Sequence, residues 1–272
     1  MPESTLSLSY DEIRAEVGHF LGYGRDVTAW VDSEALADAR RSERKVKREN
    51  IESCLRSGMR QFYYPPPLFG ERMGHDWTFL HPTSTMALVS GTHTYELPSD
   101  FGGVEGPVTF ADSDSRGSAR LLLVNEGIWR KNRQELPDLT GQPRMVSFRP
   151  KAGVGTKQGQ RHELMVFPTP SEAFTLAYNY YMLPDALTDS RPYPLGGAAH
   201  AETILASCLA IAEQRLDDAQ GTQKALFMER LAASIGADRK HQSGFLSHRA
   251  GRVGRAETRD RIVTTYNSVE YE

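Results

Sequence analysis

The side chains of this chain that could do chemistry are few and scattered. His200-Ala201-Glu202 has the spacing of the zinc deaminases, where the histidine holds the metal and the glutamate moves the proton. That chemistry also needs paired cysteines to complete the metal shell, and none follow. A lone histidine near the start of a helix is structural by default. The other histidines, His19, His75, His81, His93, His162, His241 and His248, show no ligand spacing. Cys54 and Cys208 sit on the apolar faces of expected helices, away from any histidine, and read as core thiols. No Gly-x-Ser-x-Gly elbow is present. The glycine-rich loop Lys151–Arg161 is not a phosphate cradle: that motif needs Gly directly before Lys at a helix start, whereas Lys157 follows Thr156 and a strand comes next. It reads as an exposed hairpin tip. The sequence therefore assigns no catalytic residue, cofactor or metal ligand. A site assembled only in space leaves no such trace. A carbohydrate- or protein-modifying enzyme of that kind would first show itself as a buried cluster of carboxylates.

Charge is more informative. Arg40, Arg41, Arg44, Lys45 and Arg48 form the strongest basic cluster, partly offset by Glu43 and Glu49. Such a run is either a solvated helix face or a contact for phosphate or an acidic partner surface. No aromatic residue is interleaved with it, which argues against base stacking. A net charge of −3 over 272 residues argues against a protein whose whole surface binds nucleic acid. From Ser243 onward apolar periodicity is lost, while Arg249, Arg252, Arg255, Arg259 and Arg261 alternate with Phe245, Leu246, Ile262, Val263, Tyr266 and Tyr271. That stretch is either a disordered tail or a docking arm with charged pairs and aromatic anchors.

The elements that would position these residues begin with a short helix capped by Ser9 or Asp11, with Ile13, Val17, Phe20 and Leu21 at helical spacing before Gly22-Tyr23-Gly24. Asp32 or Ser33 caps a longer helix that carries the basic run and then the apolar face Ile51, Cys54, Leu55, Met59 and Phe62. Pro65-Pro66-Pro67 must end it. Trp77, Phe79 and Pro82 then form an aromatic hinge. Beyond it Met86–Val89, the turn Ser90-Gly91 and Tyr95–Leu97 read as a hairpin. Further strands are expected at 107–110, 120–124, 145–148, 163–167 and 174–181, with a turn or two of helix at 125–133. Two helices follow Gly196-Gly197, the first with Ala201, Ile204, Leu205, Cys208, Leu209, Ala212 and Leu216 inward. The second turns Phe227, Met228, Leu231, Ala232 and Ile235 inward, and Gly221 parts the pair.

The expected fold is α+β. Residues 1–77 and 186–243 build one helical core, 78–185 an inserted antiparallel β domain, and 244–272 an extended C-terminal arm. No apolar run approaches the roughly 18 residues of a membrane span, and the chain reads as soluble and intracellular.

The order of these elements carries a resemblance. The helix ending in aromatics, the Trp77-Thr78-Phe79-Leu80 hinge, the segment Tyr95-Glu96-Leu97-Pro98-Ser99-Asp100-Phe101-Gly102-Gly103, and later Tyr193-Pro194-Leu195-Gly196-Gly197 before an alanine-rich helix resemble head-to-tail adaptor (connector) proteins of tailed bacteriophages. They are similar at greater remove to the tail tubular proteins of short-tailed phages. The resemblance spans residues 10 to 240 as an order of elements; its specific wording lies in 77–103 and 193–215. It implies a non-enzymatic ring, typically of twelve copies, in the virion neck beneath the portal, with double-stranded DNA passing through. The particle would assemble in the host cytoplasm. It also implies that the helical domain builds the ring, with Arg40, Arg41, Arg44, Lys45 and Arg48 as interface candidates. The arm would reach the portal through Phe245, Leu246, Arg249, Arg252, Arg255, Arg259 and Tyr266, and the β domain would face the tail or neck proteins. No membrane is involved. A second function class remains open beside it: a nucleic-acid-binding accessory protein using the Arg40–Arg48 face.

Overall fold

A computed structural model of the chain describes residues 4–29, 38–68, 72–111, 121–151, 159–217, 221–241, 265–266 and 269–270. Ser9 caps α1 (Tyr10–Phe20) reciprocally: its hydroxyl accepts the Glu12 amide, and the Glu12 carboxylate takes the Ser9 amide at 2.7 Å. Ile13 and Val17 turn inward from it. The basic run lies on the first half of α2 (Asp38–Tyr63), whose expected caps at Asp32 and Ser33 fall outside the described residues. Ile51, Cys54, Leu55, Met59 and Phe62 of α2 are buried, as their spacing predicts, and the helix stops at Tyr63 before the prolines.

These side chains meet α4 (Ala198–Asp217) and α5 (Thr222–His241) through Ile204, Cys208, Phe227, Leu231 and Ile235, so one hydrophobic cluster is built from both ends of the chain. Two expected positions differ. Leu216, near the end of α4, is 56% exposed, and Ala232 on α5 faces out while Ser234 and Asp238 take buried places. Small and polar residues carry little apolar signal, so Ser234 and Asp238 escape the α5 pattern, while Phe227, Leu231 and Ile235 are buried as expected.

The strands between form two sheets. β1 (Thr83–Leu88), β9 (Phe174–Met182) and β3 (Phe101–Phe110) make one, in the order β1-β9-β3. The other runs β2-β7-β6-β4, from β2 (Thr94–Glu96), β7 (Arg161–Phe167), β6 (Met145–Lys151) and β4 (Leu122–Leu123). The pairs β1·β9, β3·β9, β2·β7 and β6·β7 are antiparallel. Two short pairs are parallel: β4·β6, and β5 (Thr140–Gly141) with β8 (Thr169–Pro170). β3 bulges between Glu105 and Thr109, where the register with β9 shifts. The loop 152–160 joins β6 to β7 beyond the last pair, Lys151↔Arg161; residues 152–158 of it lie outside the described part.

The expected hairpin of Met86–Val89 with Tyr95–Leu97 does not form. β1 pairs with β9 and β2 with β7, in different sheets. Gly91, at φ +78°, turns the chain from one sheet to the other, and the Tyr95 hydroxyl lies 2.7 Å from the Thr92 carbonyl and 3.0 Å from that of Val89. The turn is as expected; its partners are elsewhere.

The sheets close over a second cluster that includes Leu88, Phe101, Val108, Val146, Leu164, Val166, Leu176 and Tyr178. α3 (Glu126–Glu135), capped by Asn125, covers the far face of the four-stranded sheet with Trp129 on Met165 and Phe167. Alternation along β7 thus buries it on both sides. The segment after β9 straps back onto the helices: the Tyr10 amide donates to the Pro192 carbonyl at 2.6 Å, and the Leu195 amide to the Tyr63 hydroxyl at 2.9 Å. Near the C-terminus β10 (Thr265–Tyr266) pairs antiparallel with β11 (Val269–Glu270).

Candidate functional site

The expected hinge residues, Trp77, Phe79 and Pro82, lie between α2 and β1. Trp77 is fully buried and its indole N–H donates to the Phe62 carbonyl at 2.9 Å, so the end of α2 and the hinge share one hydrogen bond. Phe62 stacks on it at 4.6 Å and Phe79 at 5.4 Å, with His200 edge-on at 5.2 Å. A short 3₁₀ turn, Thr78–Leu80, follows, and Pro82 precedes β1. His200 is therefore an aromatic neighbour of the hinge. Its companion Glu202 is turned to Arg230 at 2.5 Å, which leaves the His-x-Glu pair serving two different contacts.

Asp238, missed in the sequence, pins the hinge to α5. It is 2% exposed; its Oδ1 accepts the Thr78 hydroxyl at 2.5 Å, and its Oδ2 the Thr78 amide at 3.1 Å and His75 Nε2 at 2.8 Å. Burial pushes the carboxyl up, but the bonds from Thr78 and His75 outweigh it and hold the group below the ordinary aspartate range. No spacing signal could have found it, because its partners lie some 160 residues away in the chain.

A second histidine works at the surface. His81 meets Asp76 through Nε2 at 3.0 Å and Glu105 of β3 through Nδ1 at 2.6 Å. Asp76, His81 and Glu105 are the cluster among the described residues whose donor atoms are close enough to suggest a metal. The geometry does not fit one: the carboxylates lie on opposite ring nitrogens, and a single ion can bind only one of these. The arrangement suits a ring that bridges two carboxylates, a clamp between the segment before β1 and β3.

Neither cysteine is a reactive thiol. Burial pushes Cys208 up to about 12, and burial likewise raises Cys54 despite the Arg215 guanidinium nearby. The buried carboxylates among the described residues, Glu163 and Asp238, stand in separate clusters, Glu163 paired with Arg149. The carboxylate cluster that an assembled enzyme site would show is not present among the described residues.

The basic run is exposed at Arg40 and Lys45 and half-buried at Arg44 and Arg48; the side chain of Arg41 lies outside the described set. Lys47 bonds Glu43 one turn back at 2.5 Å. Further along α2, Arg56 and Arg60 are exposed and have no acid partner among the described residues. They line a cleft of about 180 Å³ with Met59, Tyr64, Pro184 and Ala186. Arg56 also reaches a larger, open cleft of about 620 Å³, where the Tyr10 hydroxyl donates to Glu52 at 2.5 Å and Arg14 sits 3.4 Å from the same carboxylate. Leu122 and Leu123 on β4 and Ile128 on α3 are exposed apolar side chains.

Of the expected arm, Phe245, Leu246, Arg249, Arg252, Arg255 and Arg259 lie outside the described residues, and Tyr266 falls in β10. Among the described residues no helix is long and apolar enough to cross a membrane. No curated protein matches the chain. A family model described as SU10 adaptor protein matches it over residues 9–254, from the α1 cap past the end of α5.

Proposed function

Because the chain belongs to the SU10 adaptor protein family, we propose that it is a non-catalytic virion component that joins the portal to the tail of a tailed phage. The observation that carries this reading is the span of that match: it covers the helical cluster, both sheets and the strap between them. In finer detail, twelve copies form a ring in the neck, double-stranded DNA passes through its lumen, and assembly takes place in the host cytoplasm. Kinship with the tail tubular proteins of short-tailed phages belongs to the same reading. The working units are the helical part formed by 1–77 and 186–243, the β part 78–185, and the arm 244–272.

The geometry supports a ring subunit. A heterologous interface needs two unlike faces that complement each other around an axis. The chain offers exposed guanidinium groups on α2 and exposed apolar side chains on β4 and α3, so its surfaces are unlike. Arg40, Arg41, Arg44, Lys45 and Arg48 would meet acids of a neighbouring copy. A mildly acidic net charge suits a conduit, since phosphate contacts summed around a ring would retard DNA.

The test is co-purification with the portal protein followed by electron microscopy and native mass measurement. A closed ring seated on the portal is expected. A chain that stays monomeric in the presence of portal and is missing from finished virions would overturn the reading.

A further inference from the structure

The cleft beside α2 carries guanidinium groups that no acid among the described residues pairs. Arg56 and Arg60 lie one turn apart on its α2 wall, exposed and without an acid partner among the described residues. The opposite wall, Pro184 to Ala186, includes Asp185, but that carboxylate is taken up by Arg191 at 2.6 Å. The wall is also anchored: Leu187 is buried in the helical cluster, and Thr188 and Arg191 exchange backbone bonds. The site is therefore a fixed groove with two uncompensated guanidinium groups on one side and apolar Pro184 and Ala186 on the other, with Met59 in its floor.

An occupant must bring two carboxylates at matching spacing and an apolar group facing the other way. Two residues one helical turn apart rise about 6 Å along α2. Two side chains on the same edge of a strand, at i and i+2, stand about 6.7 Å apart, and the one between them points to the opposite side. The chain contains a matching sequence: β11 ends at Glu270, and Glu270-Tyr271-Glu272 reads acid, aromatic, acid with no base. Extended in the groove, Glu270 and Glu272 meet Arg60 and Arg56, and Tyr271 packs on the Pro184–Ala186 wall.

We propose that the Arg56–Arg60 groove binds the acidic segment 269–272 of a second copy of this chain. Charge-assisted pairs of guanidinium with carboxylate give the contact its direction, and the aromatic ring gives it burial. Double-stranded DNA is the weaker fit, because the apolar wall of Pro184 and Ala186 offers phosphate nothing. The proposal rests on the ring reading only in needing a second copy.

The experiment uses two full-length variants purified apart, Ala186→Cys and Val269→Cys, the latter on the side of the segment that Tyr271 shares, then mixed under mild oxidation; the native cysteines are buried. A disulfide-linked heterodimer is expected. Its yield should fall at least tenfold when the Ala186→Cys chain also carries Arg56→Glu and Arg60→Glu, or when the donor carries Glu270→Gln and Glu272→Gln. Circular dichroism should show the exposed-arginine variants folded. Absence of the cross-link, or a yield indifferent to the charge reversals, overturns the proposal. So does a link formed only within one chain, tested with both cysteines on one molecule at high dilution, since it would make the groove a seat for the chain's own end. Loss of the link on adding a 30-base-pair duplex, with the duplex held by wild type and released by Arg56→Glu/Arg60→Glu, would reassign the groove to nucleic acid. A ring on the portal without the cross-link refutes the docking alone; a cross-link without any ring refutes the neck assignment alone.

Discussion

Gly58 and Cys208 touch backbone to backbone: a Cβ added to Gly58 would lie 2.6 Å from the Cα of Cys208 and 2.8 Å from its amide nitrogen. Helices α2 and α4 can approach this closely only because α2 has no side chain there. Ser207 uses the proximity, its hydroxyl donating to the Gly58 carbonyl at 2.7 Å.

Gly58→Ala should therefore destabilise the fold. In a helix interior without such a neighbour, alanine is better than glycine by about 1 kcal/mol. Here the methyl meets backbone that cannot step aside, and overpacking costs about 1–3 kcal/mol. For a chain of this size each kcal/mol lowers the melting temperature by about 2–4 °C. A thermal melt of the purified variant decides it: an unchanged or raised midpoint would mean the helices sit further apart than described.

Asp238→Ala should cost about 1–3 kcal/mol, because it strands the half-buried Thr78 amide and hydroxyl and takes the carboxylate from His75. The pH dependence has a definite sign. A carboxyl held below its unfolded value contributes stability that is present above that value and is lost as pH falls through the folded one. Wild type should lose stability on acidification below about pH 4, the unfolded aspartate value. Asp238→Asn should start lower and show less of that acid loss. Parallel urea melts at pH 7 and pH 3.5 measure both effects.

His81→Ala should hardly alter global stability, because its partners Asp76 and Glu105 are exposed and such pairs contribute about 0–1 kcal/mol. Hydrogen exchange should quicken instead at the hinge and at the start of β3, where the clamp is lost. Zinc titrated onto wild type should give no saturable heat that disappears in the variant. A zinc site lost on removing His81 would contradict the opposed-nitrogen geometry.

Much of the α framework was readable because its signals are local. Ser9 and Asp11 mark the start of α1, where Ser9 proves to be the cap, the prolines after Tyr64 end α2, and Ile51 to Phe62 declare a buried face. The packing of Trp77 and Phe79 on the end of that helix was readable too, since both aromatics sit just past it. What stayed hidden was pairing at long range. Ser90-Gly91 looks the same whether its flanking strands join each other or diverge into two sheets, and β9, which takes β1, lies some 90 residues on. β3 extends back to Phe101 through three glycines that weaken any strand signal. Asp238, Glu105 and Arg60 read as ordinary surface charges, because what makes them matter is a partner, or the lack of one, set by the fold.

Deleting residues 244–272 should leave the folded body intact and abolish docking on the portal. The three buried clusters end at Ile235, and the hinge anchor Asp238 also precedes the cut, so no buried contact among the described residues is removed. The truncated chain should keep its far-ultraviolet circular dichroism and melt within about 2 °C of wild type, less than the shift about 1 kcal/mol would bring. What it loses is the arginine-rich stretch from Arg249 to Arg261 with Phe245, Leu246 and Tyr266, the part with aromatic anchors and charge for a partner surface. Sedimentation with purified portal separates the outcomes. Unchanged affinity after truncation would remove the arm from the portal interface and place that contact on the folded body. A lowered melting temperature would show instead that the arm packs on the helices.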